Sequence, residues 1–344
     1  MATVRLVIAV VAAKHWNIQQ MDVYNAFLQG DLYEEVYMTI PEGFYKIVIV
    51  FSYVDDLLIA GNDDHLIHET KGALQATFRI KDLGKLRYFL AIEFARSKDG
   101  ILMHQRKYAL ELISDMGLVG SKPASTPMEV NQKLTTAEFD HHIPSENSDP
   151  LLSNPTAYQR IVGRLLYLTT TRPDIAFVVQ CLSEFMHSPK ESHMEAAIRL
   201  VKYIKQAPGL GILMNSHSLN HLSVHCDADW GSCVNSRRST TGYLVKYGLS
   251  PICWRSKKQA TIFKSSAEAE YRAMASSVAE VVIQSGLVSP HFLPSAQQPT
   301  NLFTKALGRG PHNHLMSKLG IKNIFIAPSL RGGVKELSKC VDVP

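Results

Sequence analysis

The chain has 344 residues, of which 46% are hydrophobic and 19% are charged. This length and balance predict a globular protein of two or three domains and argue against a disordered chain. The net charge of +5, from 36 basic and 31 acidic residues, favours polyanionic partners only mildly and does not by itself indicate nucleic acid.

The cysteines and the apolar segments bear on the cellular compartment. The five cysteines include no C-x-x-C pair, which argues against a disulfide framework and against a zinc site. The apolar run over 6–13 is short and is followed by Lys14-His15-Trp16, so it predicts a buried helix and not a signal peptide. No stretch approaches the roughly 18 apolar residues that cross a bilayer. We therefore expect an intracellular protein, cytoplasmic or nuclear, with no membrane partner.

The first part of the chain alternates between helix and strand. Apolar spacing predicts a helix over 3–13, a strand over 18–23 and a helix over 25–32. Two β-branched and aromatic runs, 47–51 and 57–60, then flank Tyr53-Val54-Asp55-Asp56. This arrangement predicts a hairpin with two carboxylates at its tip.

The middle of the chain predicts a hairpin followed by helices. Strand-like runs over 86–95 and 101–104 flank the turn Lys98-Asp99-Gly100, and a helix over 106–116 follows. Residues 121–155 are rich in Ser, Thr, Pro and Asn, which predicts a linker. Three more helices are predicted: one capped by Asn154 with Pro155 first, one beginning near Pro173, and one opened by a Ser192 and Glu195 capping box.

The last part begins with strands. Runs over 222–226, 241–246 and 252–254 precede a helix from 267 to about 283, which gives the order β-β-β-α. After Gly286 we expect only fragments of helix and turn. The whole pattern predicts an α+β protein whose parts are 1–79, 80–215, 216–307 and a tail over 308–344.

Two acidic motifs in the first part carry the most specific functional signal. Tyr53-Val54-Asp55-Asp56 resembles the catalytic hairpin of reverse transcriptases, and residues 20–28 resemble the segment around the first palm aspartate of copia-type LTR retrotransposons. The resemblance implies an incomplete reverse-transcriptase palm. Its expected metal ligands are Asp22, Asp55 and Asp56, because two-metal nucleotidyl transfer with Mg²⁺ or Mn²⁺ needs converging carboxylate oxygens.

The same resemblance assigns a substrate contact to two aromatic residues. It implies that Phe27 lies beneath the sugar of the incoming deoxynucleotide, where a bulky ring excludes a 2′-hydroxyl group, and that Tyr53 also contacts substrate. In the alternative, Asp55 and Asp56 belong only to an Asp-rich turn.

The second part resembles the connection region of the copia family. Tyr88-Phe89-Leu90-Ala91-Ile92-Glu93 is similar to the primer-holding hairpin, in which the family usually has glycine in place of Ala91. Glycine permits close backbone approach, so the alanine puts tight primer contact in question. Residues 165–177 match the following helical segment closely, which implies a helical and hairpin connection region.

The third part resembles the copia ribonuclease H domain, an RNase H-like α/β domain. The resemblance lies in Asp227-Ala228-Asp229-Trp230 and in residues 237–243 and 265–273. It implies that Asp227, on the first strand, and Glu270, on the first helix, share a metal site. Asp229 is either a near neighbour or a surface residue. Glu268 lies about 200° around the helix from Glu270 and is expected to face solvent.

Four basic residues surround these carboxylates in the sequence. As isolated residues they are typical of a solvated face, but the RNase H resemblance implies contact with the phosphates of an RNA–DNA hybrid, because basic groups hold a nucleic-acid backbone without reading sequence. They are Arg237, Arg238, Lys257 and Lys258.

Several parts of the family pattern are missing. The sequence shows no polymerase fingers before Asp22, no insertion between Lys46 and Ile47, and no third RNase H carboxylate after Ile283, and it has Asn301 in place of the last one. We therefore expect an inactive remnant of a polymerase and RNase H that cleaves RNA in hybrids, with RNA template, RNA–DNA hybrid and deoxynucleotides as ancestral partners. The alternatives are a non-catalytic nucleic-acid-binding remnant or the untranslated product of a decayed element.

Overall fold

The computed structural model describes residues 1–23, 46–53, 56–130, 132–142, 149–217, 221–281, 291 and 293–324. It confirms the α+β class. The elements run in the order α1 (Ala2–Lys14), β1 (Asn17–Val23), β2 (Val48–Tyr53), β3 (Asp56–Gly61), α2 (Asp64–Thr77), β4 (Ile80–Lys85), β5 (Tyr88–Phe89), β6 (Ile92–Ser97), β7 (Gly100–His104), α3 (Arg106–Asp115), α4 (Ala137–His141), α5 (Pro155–Leu168), α6 (Ala176–Ser183), α7 (Glu191–Gln206), β8 (Leu210–Asn215), β9 (Leu222–Asp229), β10 (Thr240–Tyr247), β11 (Ser250–Lys258), α8 (Ser266–Val281), α9 (Arg309–Lys318) and β12 (Ile321–Asn323).

The first sheet is antiparallel and has the strand order β2-β3-β1-β4. It confirms the predicted strand over 18–23 and the predicted hairpin. Alternate residues of β1 and β3 face opposite sides. Ile18 and Leu58 pack in the core that contains α1, whereas Met21 and Ile59 pack with Ile67 of α2. The helix predicted over 25–32 lies outside the described residues.

The second sheet has the order β12-β8-β7-β6-β5 and departs from the predicted pattern at two points. The single strand predicted over 86–95 is wrong, because Leu90 and Ala91 have φ values of 49° and 51° and divide it into β5 and β6. The apolar run Leu210–Asn215 forms β8, which the sequence analysis missed, and Ile321–Asn323 pairs with it as β12 in a region where no regular strand was expected.

The helical region comprises α3, α5, α6 and α7, which pack around one hydrophobic core. The predicted Asn154 cap is confirmed, since its side chain accepts the Thr156 N–H at 3.0 Å. The predicted capping box of Ser192 with Glu195 is wrong. The helix begins at Glu191, and the ring of His193 accepts the backbone N–H of Lys190 at 3.0 Å, which fixes the helix start two residues earlier.

A further hydrophobic core joins all three predicted parts of the chain. It contains residues of α1, of the second sheet and of the third sheet, whose strand order is β11-β10-β9. Arg5 of α1 is 8% exposed and lies 3.9 Å from the ring centre of Trp254 in β11. Burial lowers the pKa of Arg5 to about 10. The three predicted parts 1–79, 80–215 and 216–307 therefore contribute side chains to one shared hydrophobic core.

The segment predicted as a linker, 121–155, contacts the helical region in its described portion. Lys190, which is 1% exposed, donates to Asp140 and lies 2.8 Å from Asp149. Arg199 lies 2.9 Å from Glu129. Among the helices of the described residues, none has the length and apolar character required to traverse a lipid bilayer.

Candidate carboxylate sites

The structure brings together two of the three predicted palm carboxylates. Asp22 of β1 lies directly opposite Asp56 of β3, so their side chains share one face at the end of the sheet. Gln20 Nε2 donates to Asp56 Oδ1 at 3.1 Å, and Lys81 of β4 lies opposite Asp22 on its other side. Asp55 and Phe27 lie outside the described residues.

A group of tyrosines lies beside these carboxylates and was missed in the sequence analysis apart from Tyr53. Tyr53 ends β2 opposite Asp56 and is 48% exposed. The rings of Tyr108 and Tyr167 are 5.3 Å apart, and the Tyr167 hydroxyl donates to the Leu90 carbonyl. Burial, and then the neighbouring Tyr108, Tyr88 and Tyr53 hydroxyls, raise the pKa of Tyr167. The sequence signal for this group was that four separate elements each carry a tyrosine: β2, β5, α3 and α5 carry Tyr53, Tyr88, Tyr108 and Tyr167.

The structure also places Asp227 beside Glu270. Asp227 lies in β9 opposite Gly242 of β10, and α8 packs against both strands. Desolvation, and then the negative charge of Asp227, raise the pKa of Glu270. Glu268 is exposed and accepts the Lys264 N–H at 2.9 Å, as expected for a solvent-facing residue.

Asp229 is a near neighbour of this pair and not an isolated surface residue. Burial, and then the charge of Asp227, raise the pKa of Asp229, while the Lys305 ammonium opposes the shift. Thr304 Oγ1 donates to Asp227 Oδ2 at 2.6 Å. The sequence analysis identified neither Thr304 nor Lys305 as a site residue.

A short 3₁₀ turn, Pro299–Phe303, carries these two residues to the sheet. A Cβ atom on Gly242 would lie 2.7 Å from the Cβ of Phe303, so the glycine permits this approach. Asn301 is buried and its amide donates to the Ser295 carbonyl at 2.7 Å. The Asn301 amide is thus engaged with its own loop.

Three of the four predicted phosphate-contacting residues are exposed. Arg237, Arg238 and Lys257 lie at the start of β10 and the end of β11. Lys258 differs, because its ammonium lies 2.6 Å from the Glu184 carboxylate and 3.6 Å from Cys233 Sγ. Its charge is therefore already paired within the protein.

Sequence similarity to known proteins establishes the family of this chain. Residues 1–47 and 45–130 match the family described as reverse transcriptase (RNA-dependent DNA polymerase). The uncharacterized mitochondrial protein AtMg00810 of Arabidopsis thaliana is 35% identical over 231 residues, which cover 67% of this chain and 91% of that protein. The chain belongs to the reverse transcriptase family.

Within this family, the chain is similar to Pol polyproteins of copia-type transposons, which confirms the resemblance found in the sequence. The retrovirus-related Pol polyprotein from transposon RE1 of Arabidopsis thaliana is 35% identical over 333 residues, and that from transposon TNT 1-94 of Nicotiana tabacum is 28% identical over 340 residues. These alignments cover 81% and 82% of this chain but only 22% and 25% of the polyproteins. No solved structure matches the chain.

Reverse transcriptases generally use divalent metal, so the two carboxylate sites of this reverse transcriptase family member can be tested for fit. Mg²⁺ requires octahedral oxygen ligands near 2.1 Å. At the third sheet, Asp227 Oδ2 already accepts a hydrogen bond from Thr304 Oγ1 at 2.6 Å. No cluster of three or more His, Cys, Asp or Glu side chains suited to a metal ion occurs in the described part of the chain. Asp227 and Glu270 alone therefore do not supply the converging ligand set that a metal pair requires.

Proposed function

We propose that this chain is a remnant of a retrotransposon RNA-directed DNA polymerase and ribonuclease H that retains neither activity. The observation that carries the proposal is the hydrogen bond by which the hydroxyl of Thr304 engages the carboxylate of Asp227, a predicted RNase H metal ligand, at 2.6 Å. Two-metal hydrolysis requires the oxygens of that carboxylate as metal ligands. RNA cleavage in a hybrid is therefore not supported by this geometry.

The polymerase half is incomplete for a different reason. The family match consists of two segments that meet at residues 45–47, where the sequence analysis places a missing insertion. Asp22 and Asp56 still lie opposite each other, which supports descent from a palm. Holding a deoxynucleotide and a template in attack geometry contributes roughly 7–11 kcal/mol in favourable cases, and the palm strands alone do not supply that positioning.

Two assays test this proposal directly. Primer extension on an RNA template and cleavage of an RNA–DNA hybrid are measured for the full chain with Mg²⁺ and with Mn²⁺. The matched controls are Asp55→Asn for extension and Glu270→Gln for cleavage. We expect no product above these controls. Metal-dependent product that disappears in either control would contradict the proposal for that half.

A second candidate function is non-catalytic nucleic-acid binding, which the exposure of Arg237, Arg238 and Lys257 favours. Each phosphate contact releases counterions, so Lys257→Ala should reduce the slope of log affinity against log salt by about 0.9 on duplex DNA. Lys258→Ala is the matched control and should leave the slope unchanged, because Lys258 is paired with Glu184. Affinity that does not depend on salt would exclude this function.

A further inference from the structure

The 231–238 loop between β9 and β10 is packed against the protein except at two adjacent arginines. Arg237 and Arg238 are exposed, whereas residues 231–236 are half-buried. The N–H of Cys233 donates to the Arg238 carbonyl at 3.2 Å, and the N–H of Arg237 donates to the Cys233 carbonyl at 2.7 Å, so the loop closes on itself. Arg237 has a φ of 54°, a left-handed conformation that a residue with a Cβ adopts only at a cost. The surrounding structure therefore has to hold this conformation.

Asn235 joins this loop to a distant segment of the chain. Its Oδ1 accepts the N–H of Thr136 at 3.1 Å, and its Nδ2 donates to the Leu134 carbonyl at 3.3 Å. These partners precede Asn235 by 99 and 101 residues. One side chain thus bonds a backbone donor and a backbone acceptor of the same segment, as a paired strand would. The conformation of the loop therefore depends on where residues 134–136 lie.

The segment 134–136 is itself held by α7. The buried His193 ring accepts the Lys190 N–H on Nδ1 at 3.0 Å, so the neutral ring carries its proton on Nε2. This Nε2 lies 3.1 Å from the Thr135 carbonyl, to which it donates. The Lys190 ammonium donates to Thr135 Oγ1 at 3.1 Å. The helical region therefore fixes the segment that bonds to Asn235.

We propose that Asn235 is a positioning residue for the pair Arg237 and Arg238. Through Asn235, the segment 134–136 sets the 231–238 loop so that both arginines contact one nucleic-acid phosphate backbone together. A guanidinium presents its N–H donors in a planar fork that matches phosphate oxygens. A loop that is already ordered loses less conformational freedom on binding, so its phosphate contacts are stronger. The inference rests on the second candidate function, nucleic-acid binding, and adds that a distant segment controls it.

Two substitutions of Thr136 test the inference from outside the loop. Thr136→Pro removes the N–H that Asn235 accepts, and the φ of −78° at this position suits proline. It also removes the Thr136 hydroxyl, which caps α4 by accepting the Phe139 N–H at 3.2 Å. Thr136→Ala removes the same hydroxyl but keeps the backbone N–H, so it is the matched control. The difference between the two variants isolates the bond to Asn235.

Binding of the full chain to duplex DNA is measured at several salt concentrations. We expect Thr136→Pro to reduce the slope of log affinity against log salt by about 0.9 for each arginine contact that is lost. Thr136→Ala should leave the slope unchanged. Arg237→Ala should reduce the slope in the wild type but have little further effect in Thr136→Pro, because the two changes then act on the same contact. A loss of stability alone would not alter the slope while the protein remains folded.

Asn235→Ala provides a second measurement that needs no ligand. Amide hydrogen exchange should become faster at Thr136 and across 231–238, because both bonds of the Asn235 side chain are removed. Asn154→Ala is the control, since it removes a helix cap in α5 and should leave exchange in the loop unchanged. Equal exchange of the loop amides in the two variants would overturn the inference.

The binding measurements separate this inference from the function on which it rests. Wild-type affinity that does not depend on salt would contradict the second candidate function and this inference together. Salt-dependent wild-type binding with the same slope in Thr136→Pro and Thr136→Ala would contradict only the inference.

Discussion

The helical region and the third sheet satisfy their polar groups in different ways. In the helical region, Arg172 and Asp174 form two hydrogen bonds of 2.9 and 2.7 Å, and the Tyr203 hydroxyl adds a third at 2.8 Å. In the third sheet, no strand of the described residues pairs with the outer edge of β9. A side chain contacts that edge instead: Gln298 donates to the Cys226 carbonyl at 2.8 Å.

This difference follows from how far apart in the sequence the hydrogen-bonded residues lie. A helix closes its hydrogen bonds within four residues, so segments missing elsewhere leave it whole. A sheet depends on strands distant in the sequence, and a lost strand leaves an edge of unpaired backbone groups. The helical region is therefore expected to depend on its own residues for stability, whereas the β9 edge of the third sheet depends on a side chain from a distant turn.

The largest expected effect concerns the helical region. Burial acts to raise the pKa of Asp174, but Arg172 outweighs it and the pKa is lowered. Arg172→Met would leave that carboxylate buried without its cation, and we expect a loss of about 3–5 kcal/mol in the free energy of unfolding, measured with urea. Arg172→Met with Asp174→Leu should recover much of the loss.

An exposed pair in the same region is the matched control. Arg164 binds Asp115 at 2.5 Å, but Asp115 is 62% exposed. Arg164→Met should therefore cost at most about 1 kcal/mol. If Arg172→Met costs no more than Arg164→Met, the helical region does not depend on its buried pair and the contrast with the sheet is lost.

The sequence predicted local features well and non-local ones poorly. The Asn154 cap and the hairpin of β2 and β3 follow from residues close in the chain. The start of α7 was misplaced because the His193 ring accepts the Lys190 N–H, and distant aspartates hold the Lys190 ammonium in that place. The position of Thr304 beside Asp227 depends on a turn that approaches Gly242, about 60 residues away in the sequence, and no sequence period encodes such an approach.

A smaller effect is expected where the helical region holds the 121–155 segment. Desolvation acts to raise the pKa values of Asp140 and Asp149, but hydrogen bonds from Lys190 outweigh it and lower both. A lowered folded-state pKa contributes stability above the unfolded value near 3.8, and that stability is lost as pH falls through the folded value. Lys190→Met should cost about 1–3 kcal/mol at pH 7.

The pH dependence of stability distinguishes the loss of the Lys190 interactions with Asp140 and Asp149 from a general loss of packing. Wild-type stability should fall as the pH drops from about 5 to below 3.8, and the fall should be shallower in Lys190→Met. Urea unfolding at several pH values measures both slopes. Parallel curves for the two proteins would show that Asp140 and Asp149 do not depend on Lys190.

The next effect lies in the second sheet and has the opposite sign. Ala91 adopts φ of 51°, a left-handed conformation that costs a residue with Cβ about 1 kcal/mol or more. Ala91→Gly, which restores the residue that the family usually has, should raise the free energy of unfolding by about 1 kcal/mol. Ala95→Gly in β6 is the control and should lower it by about 0.5–1 kcal/mol. Thermal unfolding that shows Ala91→Gly to be destabilising would remove the strain argument.

The smallest expected effect concerns the hydrogen bond from the Gln298 side chain to the β9 edge. Gln298→Ala removes the donor to the Cys226 carbonyl, but it also removes Gln298 Oε1, a buried atom that lacks a hydrogen-bond partner in the structure. The two changes offset each other in part, so we expect a loss of only about 0.5–1 kcal/mol. Gln297→Ala is the control, because the exposed side chain of Gln297 is expected to contribute within about 0.5 kcal/mol. Amide hydrogen exchange measures the local effect. Protection of the β9 amides should fall in Gln298→Ala and stay unchanged in Gln297→Ala. Equal exchange in both variants would mean that the Gln298 side chain does not stabilise the β9 edge.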